Sequence, residues 1–124
     1  MGSKTFETIK RALPDRRTIV MTSKPEKYNK YIDSNLEFTT SNPEDILNNL
    51  AQQGLEKVAL CGGAHIYSLF LQKGLIDRMF LTVEPYVFGE GVKLFSISAE
   101  EKFILIGQER LNEQGTLLLE FQRK

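Results

Sequence analysis

Two consecutive glycines between a strand-like and a helix-like segment constrain this chain more than any other feature. Residues 58–70 read VALCGGAHIYSLF, an apolar run followed by Gly62, Gly63 and apolar residues at helical spacing. Glycines allow positive φ values and close backbone approach, and a helix start directs unpaired N–H groups at an anion. The pattern therefore predicts a strand, a turn and a helix at a phosphate or dinucleotide site. A tight turn without a ligand explains these residues equally well, because the full G-x-G-x-x-G pattern is absent.

The composition indicates one domain over residues 1–124. Apolar residues make up 41% and charged residues 26%, enough for a core of ordinary size. Sixteen basic and sixteen acidic side chains cancel, so we expect neither a nucleic-acid nor a membrane partner. One cysteine and one histidine are too few for a disulfide or a zinc site, and we expect no metal. Because no apolar run approaches the ~20 residues of a membrane helix, we expect a cytoplasmic protein.

Helices and strands are expected to alternate first, and strands alone to follow. Turn and capping residues predict helices over residues 2–13, 43–53 and 64–73, and strands over 17–22, 36–40, 57–61, 79–84, 102–110 and 116–121. Residues 24–32 are not assigned, and residues 112–115 are typical of a hairpin turn. This order predicts an α/β fold of three layers, with a mainly parallel central sheet and a C-terminal antiparallel hairpin.

Four motifs in order resemble the dihydrofolate reductase superfamily, and the resemblance covers nearly the whole chain. They are MGSKTFETI (1–9), LPDRRTIVMTS (13–23), LCGGAHIY (60–67) and FLT (80–82). Residues 74–77 and 85–95, GLID and PYVFGEGVKLF, are more similar to the pyrimidine-reductase domain of riboflavin biosynthesis, another branch of that superfamily. Riboflavin-pathway reductases usually carry Glu before the glycine pair. This chain has Cys61 there, and an apolar residue is typical of folate reductases.

The resemblance implies NADPH as cofactor and a set of residues around it. Gly2, Lys4 and Thr5 would contact the diphosphate; Thr22, Ser23 and Lys24 the adenosine ribose and 2′-phosphate; Gly62 and Gly63, joined by a cis peptide, the nicotinamide and diphosphate; and Ala64, His65 and Ile66 would offer helix-start amides. Ser3 stands where many members carry Arg. His65 is a candidate phosphate ligand, although a lone histidine at a helix start is more often a surface or capping residue.

The same resemblance implies the substrate contacts. Ile9 and Leu13 would form an apolar wall, Arg16 an anchor, Cys61 a carbonyl contact, and Tyr67 and Thr82 would lie near the reacting ring. Thr82 is the catalytic candidate, because its counterpart orients the catalytic carboxylate. Arg16 is equally well interpreted as an exposed turn arginine, and Thr82 as a strand residue bonded to the local backbone.

Family members begin with a strand, a loop and a helix that carries the acidic residue, and we expect this chain to lack that N-terminal segment. Glu84, Glu90 or Asp77 could replace the acid, or be solvated charges. The expected function is an NADPH-dependent reductase of a pterin, dihydrofolate-like, or related pyrimidine ring, weakened or dependent on a partner chain. The alternatives are a riboflavin-biosynthesis 5-amino-6-ribosylaminouracil-type reductase and a noncatalytic oligomeric nucleotide-binding remnant. Exposed sheet edges favour a homodimer.

Overall fold

Helices and strands alternate along the first part of the chain, and strands alone follow. The computed structural model describes all 124 residues, which form two units, Met1–Leu69 and Phe70–Lys124. In chain order the elements are α1 (Ser3–Ile9), β1 (Thr18–Met21), a 3₁₀ helix (Pro25–Tyr31), β2 (Leu36–Thr39), α2 (Pro43–Gln52), α3 (Ala64–Gln72), β3 (Arg78–Val83), β4 (Phe103–Arg110) and β5 (Leu117–Arg123). None of these helices is long and apolar enough to cross a membrane.

A parallel strand pair carries the core of the first unit. Strands β1 and β2 pair from Thr18 opposite Leu36 to Met21 opposite Thr39, and alternate residues on each strand are buried. This alternation is the period-two pattern of a strand with one covered face. The core cluster consists of Phe6 from α1, Tyr28 from the 3₁₀ helix, and Val20, Leu36 and Phe38 from the strands.

The helix signals read from the sequence are confirmed at α2. The Asn42 side chain accepts a hydrogen bond from the Asp45 N–H at 2.9 Å, with Pro43 in the first turn. Gly54 follows the helix with a φ of 76°. Helix α1 is shorter than expected, because Lys10 takes a left-handed conformation with φ 55° and its N–H bonds to the Phe6 carbonyl, which ends the helix before Pro14.

The strand expected over residues 57–61 is not formed, and this prediction was wrong. A strand needs a ladder of backbone hydrogen bonds to a neighbour. Beside this segment the backbone makes a single such bond, from the Gly2 N–H to the Gly62 carbonyl at 3.1 Å. Val58 is 46% exposed, so the apolar sequence here does not become buried sheet.

The second unit is an antiparallel sheet in the order β3–β5–β4. The expected hairpin joins β4 to β5, and the Asn112 side chain accepts from the N–H groups of Gly115 and Thr116 within the turn. The α/β class and the C-terminal antiparallel hairpin are therefore confirmed. The parallel part of the structure is the β1–β2 pair, since residues 57–61 do not join it.

Candidate functional site

The Gly62–Gly63 turn lies against the start of the chain. Its peptide bond is cis, as the resemblance implied. The Gly2 N–H donates to the Gly62 carbonyl at 3.1 Å, and a Cβ on Gly2 would lie 3.0 Å from Ile66 Cγ1. Two segments about sixty residues apart in sequence therefore meet here through a backbone hydrogen bond, with Ile66 too close to leave room for a side chain on Gly2.

The two glycines differ in what surrounds them. Gly62 is buried with a φ of 60°, and a Cβ there would stand 3.2 Å from the Tyr67 hydroxyl. Gly63 is exposed, and a Cβ there would meet Thr5 Oγ1 at 3.7 Å, an ordinary contact. Gly62 thus fits its place only as glycine, whereas the backbone of Gly63 is open to a ligand beside the Thr5 hydroxyl.

The carboxyl end of β1 is joined to this turn through Met1. The Met21 N–H donates to the Met1 carbonyl at 2.9 Å, one residue before Gly2. Beyond Met21, the Lys24 N–H donates to Thr22 Oγ1 at 3.2 Å, and Ser23 and Lys24 are exposed. Two backbone hydrogen bonds thus link the segment that leads to residues 22–24, the adenosine candidates, with Gly2 and Gly62, which are diphosphate candidates.

The helix-start candidates divide into buried and exposed side chains. Ile66 is buried and packs near Gly2, and Ala64 is half-buried. His65 and Lys4 are exposed, so each is available to a solvent-borne anion. At the N-terminus of α1, Gly2 provides no side-chain cap for the first N–H groups.

Of the substrate candidates, Arg16 is the one that offers a free charge. It is exposed in the turn after Pro14 and forms no intramolecular ion pair, whereas its neighbour Arg17 is bound to Glu37 and Gln53, each at 2.7 Å. Ile9 and Leu13 are half-buried, and the Leu13 N–H donates to Thr18 Oγ1 at 3.0 Å.

Burial shifts the proton equilibria of two groups beside Cys61. Burial raises the pKa of Tyr67, and the nearby Cys61 raises it further. Burial lowers the pKa of the Met1 amino group, which donates to the Ile19 carbonyl at 2.9 Å. The phenol of tyrosine is protonated at physiological pH even at its ordinary pKa, and burial extends that range to more alkaline pH at Tyr67.

Thr82 belongs to the second unit, where it is exposed on β3 opposite Leu118. Among the acids considered as replacements, Glu84 is already engaged, because its carboxylate accepts from Thr116 Oγ1 at 2.6 Å. Asp77 accepts through its backbone carbonyl from Arg123, and Glu90 is an exposed side chain. Of these three carboxylates, Glu84 is therefore the one that a hydrogen bond within the chain engages, while the side chains of Asp77 and Glu90 are exposed.

Two other observations limit the kind of site that the chain can form. No three His, Cys, Asp or Glu side chains come together in a way that could hold a metal ion. A surface hollow of about 220 Å³ is lined by Arg17 and residues 32–38 and contains none of the candidate residues. The guanidinium of Arg17 is engaged there by its ion pair with Glu37, and we assign no ligand to this hollow.

Tyr28, a residue outside the expected set, joins the 3₁₀ helix to α1, the helix that carries Lys4 and Thr5. The Tyr28 hydroxyl donates to the Glu7 carboxylate at 2.6 Å, which ties the 3₁₀ helix to α1. The pKa of Tyr28 is raised, mainly by this hydrogen bond to Glu7 and to a smaller extent by burial. Tyr28 and Tyr31 are three residues apart, but one such pair also fits an α-helix, so no signal in the sequence was specific to this 3₁₀ helix.

Known proteins resemble this chain in sequence and in fold. The family described as dihydrofolate reductase matches residues 1–122. The chain is 35% identical over 118 residues to dihydrofolate reductase of Bacillus subtilis (strain 168), covering 94% of this chain and 61% of that protein. It is 27% identical over 119 residues to the uncharacterized protein YwjB of the same organism, covering 91% of this chain and 67% of YwjB. It therefore spans about two thirds of these relatives.

A solved structure has a similar fold. A protein of Shewanella sp. PV-4, named for riboflavin biosynthesis, superposes with a TM-score of 0.80 at 23% identity, over 100% of this chain and 72% of that one. At this identity the likeness concerns the fold.

Proposed function

Because the chain belongs to the dihydrofolate reductase family, we propose that it is an NADPH-dependent reductase that transfers hydride to a pterin or a related pyrimidine ring. The observation that carries this proposal is the hydrogen bond from Gly2 to Gly62. It brings together the first and third of the four motifs, at the backbone that the family resemblance assigns to the cofactor.

The surroundings of Gly63 fit the approach of a cofactor. Its exposed backbone has no side chain in front of it, and the Thr5 hydroxyl beside it can donate to a phosphate oxygen. The neighbouring backbone N–H groups come from Gly2 and from the helix start at Ala64, His65 and Ile66. The exposed side chain of Lys4 supplies a positive charge. When bound, NADPH supplies the hydride.

Thr22, Ser23 and Lys24 form the second part of the proposed cofactor site. They follow β1 directly, and ligands of α/β proteins bind at the carboxyl ends of parallel strands. The exposed ammonium of Lys24 gives this part a positive charge that a 2′-phosphate requires. This arrangement supports NADPH over NADH.

The proposed substrate residues divide into wall, anchor and donor. Ile9 and Leu13 provide partly buried apolar surface, and the free guanidinium of Arg16 can pair with a carboxylate. The phenol of Tyr67, which like any tyrosine is protonated at neutral pH, can donate to a ring heteroatom, and Cys61 offers its carbonyl. Thr82 stays a prediction as the catalytic position.

The proposed reaction also needs a source for its proton. Reduction of such a ring needs a proton as well as a hydride, and Glu84 is held by Thr116. We therefore propose that turnover is slow or depends on a second chain. Exposed apolar residues after β3, namely Tyr86 at 72%, Val87 at 100% and Phe88 at 77%, support a homodimer.

A riboflavin-biosynthesis type of ring is the second candidate substrate. Its support is the GLID and PYVFGEGVKLF motifs together with the fold of the Shewanella protein. A noncatalytic nucleotide-binding module is the third candidate, supported by the engaged carboxylate of Glu84. The two reductase candidates differ from the third in turnover, and from each other in the ring that is reduced.

The test is a titration with NADPH and NADH followed by tyrosine fluorescence, since the chain contains no tryptophan. Light scattering on the same samples gives the mass. NADPH oxidation is then measured with dihydrofolate and with 5-amino-6-ribosylaminouracil. Selective NADPH binding with turnover of either ring supports a reductase, and binding without turnover supports the noncatalytic module. Equal affinity for both nucleotides contradicts the NADPH assignment, and a monomer at every concentration contradicts the dimer.

A substitution at Gly63 locates the site. Gly63→Ala adds a Cβ with a 3.7 Å contact, so we expect the fold to persist while nucleotide affinity falls by tenfold or more, because the methyl group takes the space of the ligand. Gly91→Ala is the matched control, since its Cβ would meet nothing within 4 Å. Equal affinities of the two variants for NADPH would place the nucleotide elsewhere.

A further inference from the structure

Strand β3 lies at one end of the antiparallel sheet and has one edge without a neighbouring strand. The sheet order is β3–β5–β4, so β3 pairs with β5 on one side alone. Next to this pair, the Arg123 N–H donates to the Asp77 carbonyl at 2.8 Å. Because hydrogen-bonded positions alternate along an antiparallel pair, the odd-numbered residues of β3 bond to β5. The backbone N–H and C=O groups of Phe80 and Thr82 therefore point to the free edge.

The two end strands of the sheet differ in how their edges are protected. Strand β4 has a β-bulge between Leu105 and Gly107, and bulges are one way in which edge strands avoid further pairing. Strand β3 has no shift in register against β5 and contains neither proline nor lysine. Phe80 in its middle is 62% exposed. Strand β3 therefore presents a regular, largely apolar edge of the kind that accepts another strand.

The sequence of β3 makes this edge complementary to itself. Two antiparallel copies can bond only where outward-pointing residues face each other. With the two-fold axis at Leu81, Phe80 lies opposite Thr82 of the second copy, and Arg78 lies opposite Glu84 of the second copy. An axis at Phe80 would place Arg78 opposite a threonine, and an axis at Thr82 would place Phe80 opposite a glutamate. The register centred on Leu81 is therefore the one that pairs the opposite charges.

The two charged residues at the ends of β3 can reach a second copy. The Arg78 side chain is 58% exposed and uses one guanidinium nitrogen for its ion pair with Glu120 at 2.9 Å. Glu84 is exposed, and one of its carboxylate oxygens accepts from Thr116. A guanidinium has five N–H donors and a carboxylate has two acceptor oxygens, so both side chains can form a further bond. Opposite charges that face each other across strands stabilise the pairing.

We propose that β3 pairs with β3 of a second copy of this chain, antiparallel and centred on Leu81, so that the two sheets become one. This edge is a different surface from residues 86–88, and its pairing requires no cofactor. The consequence for the site rests on the proposed function. Phe80 of the second copy lies on the same face as Thr82, the catalytic candidate, at a Cα separation of about 5.5 Å. The second copy therefore contributes an aromatic side chain to the surroundings of Thr82.

The first experiment exchanges the charges at the two ends of the strand. Arg78→Glu and Glu84→Arg each replace two attractive pairs by two repulsive ones, so we expect either variant to raise the dimer dissociation constant about tenfold. An equimolar mixture restores opposite charges at both ends, and it should dimerise more tightly than either variant alone. Sedimentation measures these constants. Lys27→Glu and Glu26→Arg are matched controls at exposed positions of the first unit, and they should have no effect alone or mixed.

A cysteine at the axis tests the register and does not depend on the folding of the charge variants. Leu81 faces its own copy at a non-hydrogen-bonded position, where Cα atoms are about 4.5 Å apart, a separation that a disulfide can span. With the free thiol of Cys61 removed by Cys61→Ser, Leu81→Cys should form a disulfide-linked dimer under mild oxidation. Phe80→Cys is the control, because it lies opposite Thr82 and should not cross-link.

Each outcome separates this inference from the proposed function, since NADPH binding is measured on the same samples. A dimer that the charge variants weaken and their mixture restores, in a protein that does not bind NADPH, would support the strand pairing and overturn the reductase. A dimer that neither charge variant weakens and Leu81→Cys does not cross-link would overturn the pairing alone. Wild-type protein that is monomeric at every concentration would overturn the pairing in favour of a strand from a different protein, and selective NADPH binding would still support the reductase.

Discussion

Replacing Gly62 by alanine should destabilise the protein, although it changes a single hydrogen to a methyl group. The backbone at Gly62 has a φ of 60°, and an L-residue in the left-handed region costs about 1–2 kcal/mol. The added Cβ would also stand 3.2 Å from the Tyr67 hydroxyl. Turning that ring away from its preferred rotamer costs about 0.5–1.5 kcal/mol.

A smaller effect opposes these two. Alanine restricts the unfolded chain and so favours the folded state by about 0.4–1 kcal/mol. The free energy of unfolding should therefore fall by about 2 kcal/mol. With a urea dependence of roughly 2 kcal/mol per molar for a small protein, the midpoint of urea unfolding should fall by about 1 M.

Urea unfolding followed by circular dichroism measures this change, and a double-mutant cycle with Tyr67→Phe separates its two causes. Removing the hydroxyl leaves the backbone effect and reduces the steric one, so Gly62→Ala should cost less in the Tyr67→Phe background. Gly91→Ala is the reference, with an expected change within ~0.5 kcal/mol. If Gly62→Ala unfolds at the same urea concentration as Gly91→Ala, the argument from φ and from the tyrosine contact is refuted.

Two further predictions concern the core and the tyrosines. Phe6→Ala should lower the free energy of unfolding by about 3–5 kcal/mol, because Phe6 is 0% exposed and has ring contacts to Phe38 and Tyr31. Phe80→Ala, at a residue that is 62% exposed, should lower it by about 1 kcal/mol or less. Equal losses of the two variants in urea unfolding would contradict this description of the core. Burial raises the pKa of Tyr67 above its unfolded value of 10.0. The stability that this shift contributes is complete below pH 10.0 and is lost as the pH rises through the folded pKa. The difference in unfolding free energy between wild type and Tyr67→Phe should therefore change in this alkaline range, and a difference independent of pH would contradict the raised pKa.

Local signals in the sequence were sufficient where local contacts decide the structure. Asn42 and Gly54 bracket α2 as expected, since a cap and a positive φ act within one turn. The strand expected over residues 57–61 failed for the opposite reason, because its formation depends on a partner far away in sequence. Residues 24–32 could not be assigned, since a period of three matches neither a strand nor an α-helix.

The candidate site shows the same division. The approach of the glycine turn to the first motif could be inferred from motif order, and the structure has the Gly2–Gly62 hydrogen bond, with Thr5 next to Gly63. Whether Arg16 or Arg17 has a free guanidinium could not be read from adjacent, identical residues. Glu37 and Gln53 decide it, because they come from β2 and from the end of α2 and engage Arg17. The hydrogen bond between Glu84 and Thr116 could likewise not be predicted, because these residues are far apart in sequence and meet through the pairing of β3 with β5.

The 3₁₀ helix Pro25–Tyr31 has three residues per turn, so its residues form three rows, and the row with Tyr28 and Tyr31 packs on the core. The two outer rows therefore tolerate substitution, whereas the segment as a whole does not tolerate a change in length. Exchanging Asn29 for another polar residue alters one outer position. Inserting a single residue before Tyr28 would turn everything after it by about 120°, which would carry the tyrosines towards water and a lysine towards Phe38. Among homologous chains, we therefore expect the residue types in this segment to vary while its length stays constant or changes by three residues at a time.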